Sequence, residues 1–471
     1  MTLVRSNRRP ALVRVRVPVL WVAGSLALAV AAALLATQAR AAGGRGMFVL
    51  TGAIPGETFG CSVASAGDVN GDSFADVIVG AYQSGSAGVP TGRAYIYFGG
   101  PRADDRADVT LSGEGANDAF GVCVAAAGDV NRDGFGDVIV GAYENDAKGA
   151  NAGRAYVFFG GAKMDAGSDL VLTGEAAGDA FGYSVAGAGD VNRDGFSDVI
   201  VGAYENSARG AGAGRAYVFF GAARPDPLPD AILSGEAAGD RYGISVSGTG
   251  DLNGDGFSDV IVGAYQNDAG GIDAGRAYLY FGGARLLDRA ATVLTGAEAG
   301  DAFGFSVSGT GDVNKDGFFD VVVGAYHNGA GGKDAGRAYL YYGGRTVSPS
   351  ADAVFTGEAA GDAFGYAVSG AGDANGDGYA DVLVGAYGND AGGSAAGRAY
   401  VYLGGPSPDP ASDWVLTGDK TLDNLGFAVS GAGDVDGDGF ADSILGAPYS
   451  EAGRAYVAKT VAGKNRPVVA R

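Results

Sequence analysis

Seven times, at a fixed interval of 61 residues, the chain returns to an aspartate that opens the same nine-residue phrase: Asp68, Asp129, Asp190, Asp251, Asp312, Asp373 and Asp434. The third copy reads DVNRDGFSD (190–198) and runs straight into the apolar stretch VIVGAY. A strict period means that one supersecondary unit is reused, each copy burying its apolar face on the next. Every copy carries four such stretches: a VLTG run (FVLTG at 48, VTLSG at 109, WVLTG at 414), then FGxSVxGxG, then VIVGAY, then GRAYVYFGG. All four are short, rich in Val, Ile, Tyr and Phe, and bounded by Gly or Asp, which is how strands read.

Four strands per unit, seven units and no helical period predict an all-β chain. The expected architecture is a seven-bladed β-propeller of four-stranded antiparallel blades over residues 47–460, with a short tail at 461–471. Radial repetition leaves few open sheet edges. Glycine and alanine crowd the FGxSVxGxG segment, as a strand near a narrow axis requires. An open solenoid would also repeat, but it normally needs atypical capping ends, and the first and last copies here are nearly regular. In the blade reading, VLTG is the outer strand of the preceding blade. The last blade therefore lacks one, and the unclaimed FVLTG (Phe48–Gly52) is expected to close the ring there. The Gly446–Gly453 loop, five residues shorter than Gly141–Gly153, makes the seventh blade the least regular.

The pairing of FG (Phe59–Gly60, Phe120–Gly121, Phe181–Gly182, Phe303–Gly304, Phe364–Gly365) with GAY or GAP (Gly446–Ala447–Pro448) resembles the FG-GAP repeat. That repeat builds the propeller of integrin α subunits and of many secreted bacterial proteins. Copies four and seven depart at the first position, with Tyr242 and Leu425.

The Asp-rich phrase has the chemistry of a hard-cation site. Ca²⁺ takes about six to eight oxygen ligands from carboxylates, amide oxygens, carbonyls and water. The spacing D-x-N-x-D-G-x-x-D supplies four oxygen-bearing side chains and a glycine for the sharp bend. The candidate ligands are Asp68, Asn70, Asp72, Asp76; Asp129, Asn131, Asp133, Asp137; Asp190, Asn192, Asp194, Asp198; Asp251, Asn253, Asp255, Asp259; Asp312, Asn314, Asp316, Asp320; Asp373, Asn375, Asp377, Asp381; and Asp434, Asp436, Asp438, Asp442. A backbone carbonyl at the position of Phe196 is expected to complete each shell. The spacing is similar to the first half of an EF-hand loop, but a strand follows where an EF-hand has a helix. The resemblance to integrin-type propellers implies calcium in all seven copies. The competing reading is a metal-free Asx-turn, which the same residues favour. Ser73 replaces the turn glycine in copy one, so that site is expected to be strained or weaker.

Residues 1–46 hold seven arginines and no acid, which leaves 26 basic against 54 acidic residues beyond them, a net of −28. Such a surface excludes nucleic acid as a partner. Seven calcium ions would halve the charge. Within 1–41, a basic start, a run of about 20 apolar residues and a small-residue cleavage site at Ala41 read as a secretory signal. The run is also long enough to serve as an uncleaved anchor. Export to the extracellular space, the cell surface or the periplasm follows. Strand alternation puts Cys61 and Cys123 on opposite sides of adjacent inner strands. That arrangement either brings the sulfurs together across the gap as a disulfide or turns both away.

No catalytic constellation stands out. His327 is the single histidine, at a position where other copies show Glu144, Glu205, Gln266 or Gly388. The arginines of GRAY (Arg93, Arg154, Arg215, Arg276, Arg337, Arg398, Arg454) recur once per blade and read as structural partners of loop aspartates. In an up-and-down blade the calcium loops share one face, while the loops after GAY and after VLTG share the other. The resemblance implies that the second is the ligand face, and its acids (Glu114, Asp118, Glu175, Asp179, Glu236, Asp240, Glu358, Asp362) are either a binding surface or a solvated one. The expected function is a monomeric adhesion or binding module with an extracellular protein or glycan ligand. A polysaccharide-acting propeller enzyme and a purely structural matrix component are the alternatives.

Overall fold

The computed structural model describes residues 47–86, 89–285, 289–407 and 409–459. The expected signal (1–41) and C-terminal tail (461–471) lie outside them. Among the described residues no helix is long and apolar enough to cross a membrane.

Seven four-stranded antiparallel sheets follow one another. Blade one consists of Ser62–Gly67, Asp76–Ala81, Arg93–Tyr97 and Val109–Ser112, from the innermost strand outward. The closing prediction holds. Blade seven pairs Ala428–Gly433, Asp442–Ala447 and Arg454–Ala458 with Met47–Thr51 as its outer strand. The register runs from Met47↔Ala458 to Thr51↔Arg454, so the two ends of the propeller share one sheet.

The second strand, DVIVGA and its variants, is buried at all six positions in every blade. A strand covered on both faces reads as a continuous apolar run. The inner strands carry small residues because they lie against one another: a Cβ on Gly187 would sit 2.8 Å from the Ala126 carbonyl of the preceding blade. Seven apolar clusters fill the spaces between neighbouring blades. The one holding Leu50, Phe59, Val79 and Ile444 joins the last blade to the first.

The FG segment departs from the expected strand. Only in blade three does the inner strand begin at the Phe (Phe181–Gly189). Elsewhere the FG aromatic stands outside, held by a single parallel bridge to the preceding blade, as Phe120 is to Gly92. It is buried there, and packing on GRAY tyrosines fixes it, Phe120 edge-to-face on Tyr156 at 5.5 Å being one case. Tyr242 substitutes for Phe because its hydroxyl reaches Tyr280 Oη at 2.8 Å. A two-stranded hairpin (Gly85–Ser86, Val89–Pro90) in the first blade was not foreseen.

The GRAY arginines pair within the blades, four of them with glutamates and Arg454 with the expected kind of partner, Asp419 at 4.0 Å. Arg154, Arg215, Arg276 and Arg398 each donate to the glutamate 40 positions upstream (Glu114, Glu175, Glu236, Glu358) at 2.6–2.8 Å. Arg337 has Ala297 at that position and donates to Thr356 Oγ1 instead. Both cysteines are free. Cys61 Sγ lies 3.5 Å from the Gly121 carbonyl and Cys123 Sγ 3.7 Å from that of Val185, so each thiol faces the next blade's inner segment.

Candidate metal centre

Each Asp-rich loop links the inner strand to the second strand at one end of the barrel-like core. The chain enters through a glycine with positive φ, Gly189 at 73° in the third copy, next to a register shift in the inner strand. In that copy Asp190 Oδ1 accepts from Asp194 N at 3.0 Å and Oδ2 from Gly195 N at 2.8 Å. Asn192 Oδ1 also accepts from Asp194 N (3.0 Å), and Asp194 Oδ1 from Phe196 N (3.0 Å). The side chains at positions one, three and five thus curl over their own loop.

The same pattern holds wherever the residues recur. Asp68, Asp129, Asp251, Asp312, Asp373 and Asp434 take both backbone bonds. Asn70, Asn131, Asn253, Asn314, Asn375 and Asp436 accept from the residue two further on. So do Asp72, Asp133, Asp255, Asp316, Asp377 and Asp438. The sixth loop position has positive φ throughout: 91° at Gly195 and, in copy one, 72° at Ser73. A serine held there carries the expected strain.

The ninth position differs from the rest. Asp76, Asp137, Asp198, Asp259, Asp320, Asp381 and Asp442 are fully buried, at 0% exposure. Asp198 Oδ2 accepts from Val191 N at 2.7 Å and Oδ1 from Gly221 N at 2.8 Å, so it ties its own loop to the end of the third strand. Burial pushes the carboxyl up to about 7 in Asp76, Asp137, Asp198, Asp259, Asp320 and Asp381, against the backbone N–H bonds that hold it down. The position-five and position-one aspartates of the same loop add to the rise. Among the described residues no ion pair reaches any of these six. Buried acid without a cation is costly, and an oxygen-only donor set beside it is what a hard divalent ion requires.

In copy seven the carboxylate oxygens of Asp434, Asp436 and Asp442 lie within 4.8 Å of one another. There Lys459 Nζ reaches Asp436 Oδ2 at 2.6 Å and stands 4.3 Å from the Phe48 ring centroid. The extra acid at Asp436 thus has a local counter-charge, supplied beside the closing strand. In the other six copies the asparagine Nδ2 donates to the position-five carboxylate instead, as Asn192 does to Asp194 at 2.8 Å.

The loops also form a ring. The carbonyl of each first aspartate accepts from the next loop: Asp68 from Gly136 N (2.8 Å), Asp129 from Ser197 N (3.0 Å), and so on to Asp434 from Ala75 N (3.1 Å). Arg132 and Arg193 stand over the aromatic rings of the following loops, Phe196 and Phe257, at 5.8 and 5.9 Å.

The opposite face is less acidic than its composition suggests. Glu114, Glu175, Glu236 and Glu358 are paired with arginine. Asp118, Asp179, Asp240 and Asp362 are buried and accept from their own loop's backbone. These eight residues build the loops and leave little free charge for a ligand. His327 is exposed, bonded to Asp334 at 3.0 Å and stacked on Tyr326 at 4.0 Å.

The FG-GAP repeat family model matches residues 59–97, 124–158, 181–219, 242–280, 303–341, 364–402 and 425–458, over half of the chain. The chain belongs to the FG-GAP repeat family. It is 33% identical over 234 residues to integrin alpha-5 of Xenopus laevis, covering 47% of this chain and 21% of that protein. To integrin alpha-7 of Mus musculus it is 38% identical over 168 residues, 34% of this chain and 13% of that one. Integrin alpha-IIb of Homo sapiens matches at 37% over 164 residues, 33% and 16% respectively. The chain thus spans about a fifth or less of these relatives' length.

Sequence reasoning passed over one variable position, the residue directly after FG. It is Cys61, Val122, Tyr183, Ile244, Phe305, Tyr366 and Phe427 in the seven copies, and all seven line one cavity of about 290 Å³ at the centre of the ring. The signal was present: the residue type at this position changes from copy to copy beside a motif that is kept in most of them.

Proposed function

We propose that this FG-GAP propeller is an exported, calcium-braced module that binds an extracellular protein or glycan. The observation that carries the calcium reading is the buried ninth-position aspartate, repeated in each loop. In six copies it has no cationic partner among the described residues, and the first and fifth aspartates of its loop add negative charge to its surroundings. Asp190, Asn192, Asp194 and Asp198, with the Phe196 carbonyl, would hold the ion in the third copy, and their counterparts would do so in the others. The ion would supply positive charge to buried acid. A ligand that prefers the native state stabilises it by mass action. Ligand binding rests on likeness to integrin α subunits and on the loop-built face opposite the metal loops; export rests on the basic-apolar N-terminal sequence.

The test is thermal unfolding of ion-stripped protein with stepwise added calcium, alongside isothermal titration. A melting temperature that climbs with calcium, and binding of several ions per chain, is expected. A melting curve that ignores both calcium and excess chelator would refute the reading.

A further inference from the structure

Residue types vary from blade to blade around the axial cavity, where Tyr82, Tyr143 and Tyr183 of blades one to three face an aromatic arc from blades five to seven. Blades five, six and seven place Phe305, Tyr366 and Phe427 side by side, with ring centroids 4.9 and 5.1 Å apart and interplanar angles of 39° and 44°. Tyr449 closes the arc edge-on to Phe427 at 5.6 Å. Blades one and two place the smaller Cys61 and Val122 across from it. Deeper in the well, Ser62, Ser184, Ser245 and Ser306 accept N–H bonds from the next blade's inner strand (3.0–3.1 Å). One lone pair of each is thus engaged, and each hydroxyl keeps a second lone pair and its O–H proton for a ligand. Among the described residues no carboxylate, ammonium or guanidinium lines the space.

A well with an arc of tilted aromatic rings, hydroxyls that can donate and accept, and no charged group among its described lining residues selects its ligand by chemistry. An ammonium or guanidinium group would be desolvated with no carboxylate to receive its protons, which is costly. A carboxylate or phosphate would find no cation. A purely apolar group would leave the hydroxyls unpaired. A pyranose ring meets all three conditions, with an apolar C–H face for the rings and hydroxyl oxygens for the serines. Aromatic walls with a few convergent polar groups are the usual form of such pockets. We propose that the axial well binds one pyranose ring of a glycan, its C–H face on Tyr366 and Phe427 and its hydroxyls toward the serine ring. This deepens the ligand-binding reading above and rests on it.

The test is saturation-transfer NMR on the calcium-loaded full chain with methyl glycosides of glucose, galactose, mannose and N-acetylglucosamine. Val122→Trp, which fills the well from blade two, and Tyr366→Ala, which removes the platform, are run beside it, with melting curves to show that each is folded. The expected result is transfer to the ring C–H protons of at least one glycoside, with affinity falling roughly tenfold or more in Val122→Trp. Absence of transfer from every glycoside would overturn the proposal. So would preferential binding of tetramethylammonium. Transfer that survives Val122→Trp also overturns it, but leaves the glycan-binding module standing with its site on the loops.

Discussion

Leu50 offers the sharpest test of how the ring closes. It lies in the strand Met47–Thr51, which comes first among the described strands yet pairs in the last blade. Its side chain is 1% exposed, opposite Ala455 in the outer strand of blade seven, and packed with Phe59, Val79 and Ile444. Leu233 holds the equivalent place in blade three, 0% exposed and opposite Ala216. Truncating a buried leucine to alanine costs about 3 kcal/mol, from lost transfer energy and the cavity left behind. With an unfolding entropy of about 2.1 cal/mol/K per residue over roughly 410 residues, that is a fall of about 3–4 °C in Tm. Leu50→Ala and Leu233→Ala should therefore lower the calcium-loaded Tm by similar amounts in differential scanning calorimetry. A Leu50→Ala shift under a third of the Leu233→Ala shift would mean that the N-terminal strand is only loosely held, and the closure argument would fail.

Ser73→Gly should stabilise the first loop by roughly 0.5–1 kcal/mol, since relief of a left-handed serine exceeds the entropy that glycine loses. Gly134→Ser, at φ 93° with nothing within 4 Å of an added Cβ, should cost about 1–2 kcal/mol; opposite signs in paired melting curves confirm that backbone, not packing, decides. Thiol titration of denatured, unreduced protein should find both cysteines free, and in the native state Cys61, which burial pushes up to about 12, should alkylate slowly at pH 8. The ninth-position aspartates imply a pH dependence confined to ion-free protein. A folded-state value of about 7, raised from 3.8, means the folded chain binds more protons between these limits. That stabilisation is complete below about 4 and lost as pH rises through 7. Chelated protein should therefore melt lower at pH 8 than at pH 5.5; the reverse order would contradict it.

Much of this architecture was legible because repetition averages away local ambiguity. Four strand-like runs at fixed spacing, seven times over, left little choice of fold, and counting strands from Asp434 onward already required Phe48–Gly52 to return to the last blade. What escaped was whatever depends on contact rather than order. The FG segment reads as strand by composition, but Gly121 at φ 86° turns the chain there and sends Phe120 back onto the preceding blade. Arg154 and Glu114 are 40 residues apart in sequence and 2.7 Å apart in space, and four of the eight acids counted on that face from the sequence are spent on such pairs. The well was missed for a different reason: writing the motif as FGx discards the one residue whose variation carries information.

The two ends of the axis are connected. The Asp-rich loops begin where the inner strands end and the well lies where they begin, about 20 Å away over a six-residue strand such as Ser62–Gly67. Neighbouring inner strands are joined near the well by a side chain at the second position after FG: Ser62 to Val124 N, Cys123 to Val185 N, Ser184 to Val246 N, Ser245 to Val307 N and Ser306 to Val368 N. The sixth and seventh copies have Ala367 and Ala428, which cannot accept such a bond. Those two gaps flank blade seven, which also has the shortened loop, the sheet shared between the chain's two ends, and Phe427 on the aromatic wall. At the Asp-rich end every gap, including these two, is bridged through the first aspartate's carbonyl. Across the gap from blade six Ser369 Oγ still accepts from Gly431 N at 3.4 Å. It is therefore between blades seven and one that the alignment of inner strands depends most on the Asp-rich loops, and any effect of calcium on the well should enter at that seam, between Phe427 and Cys61, rather than at Val122.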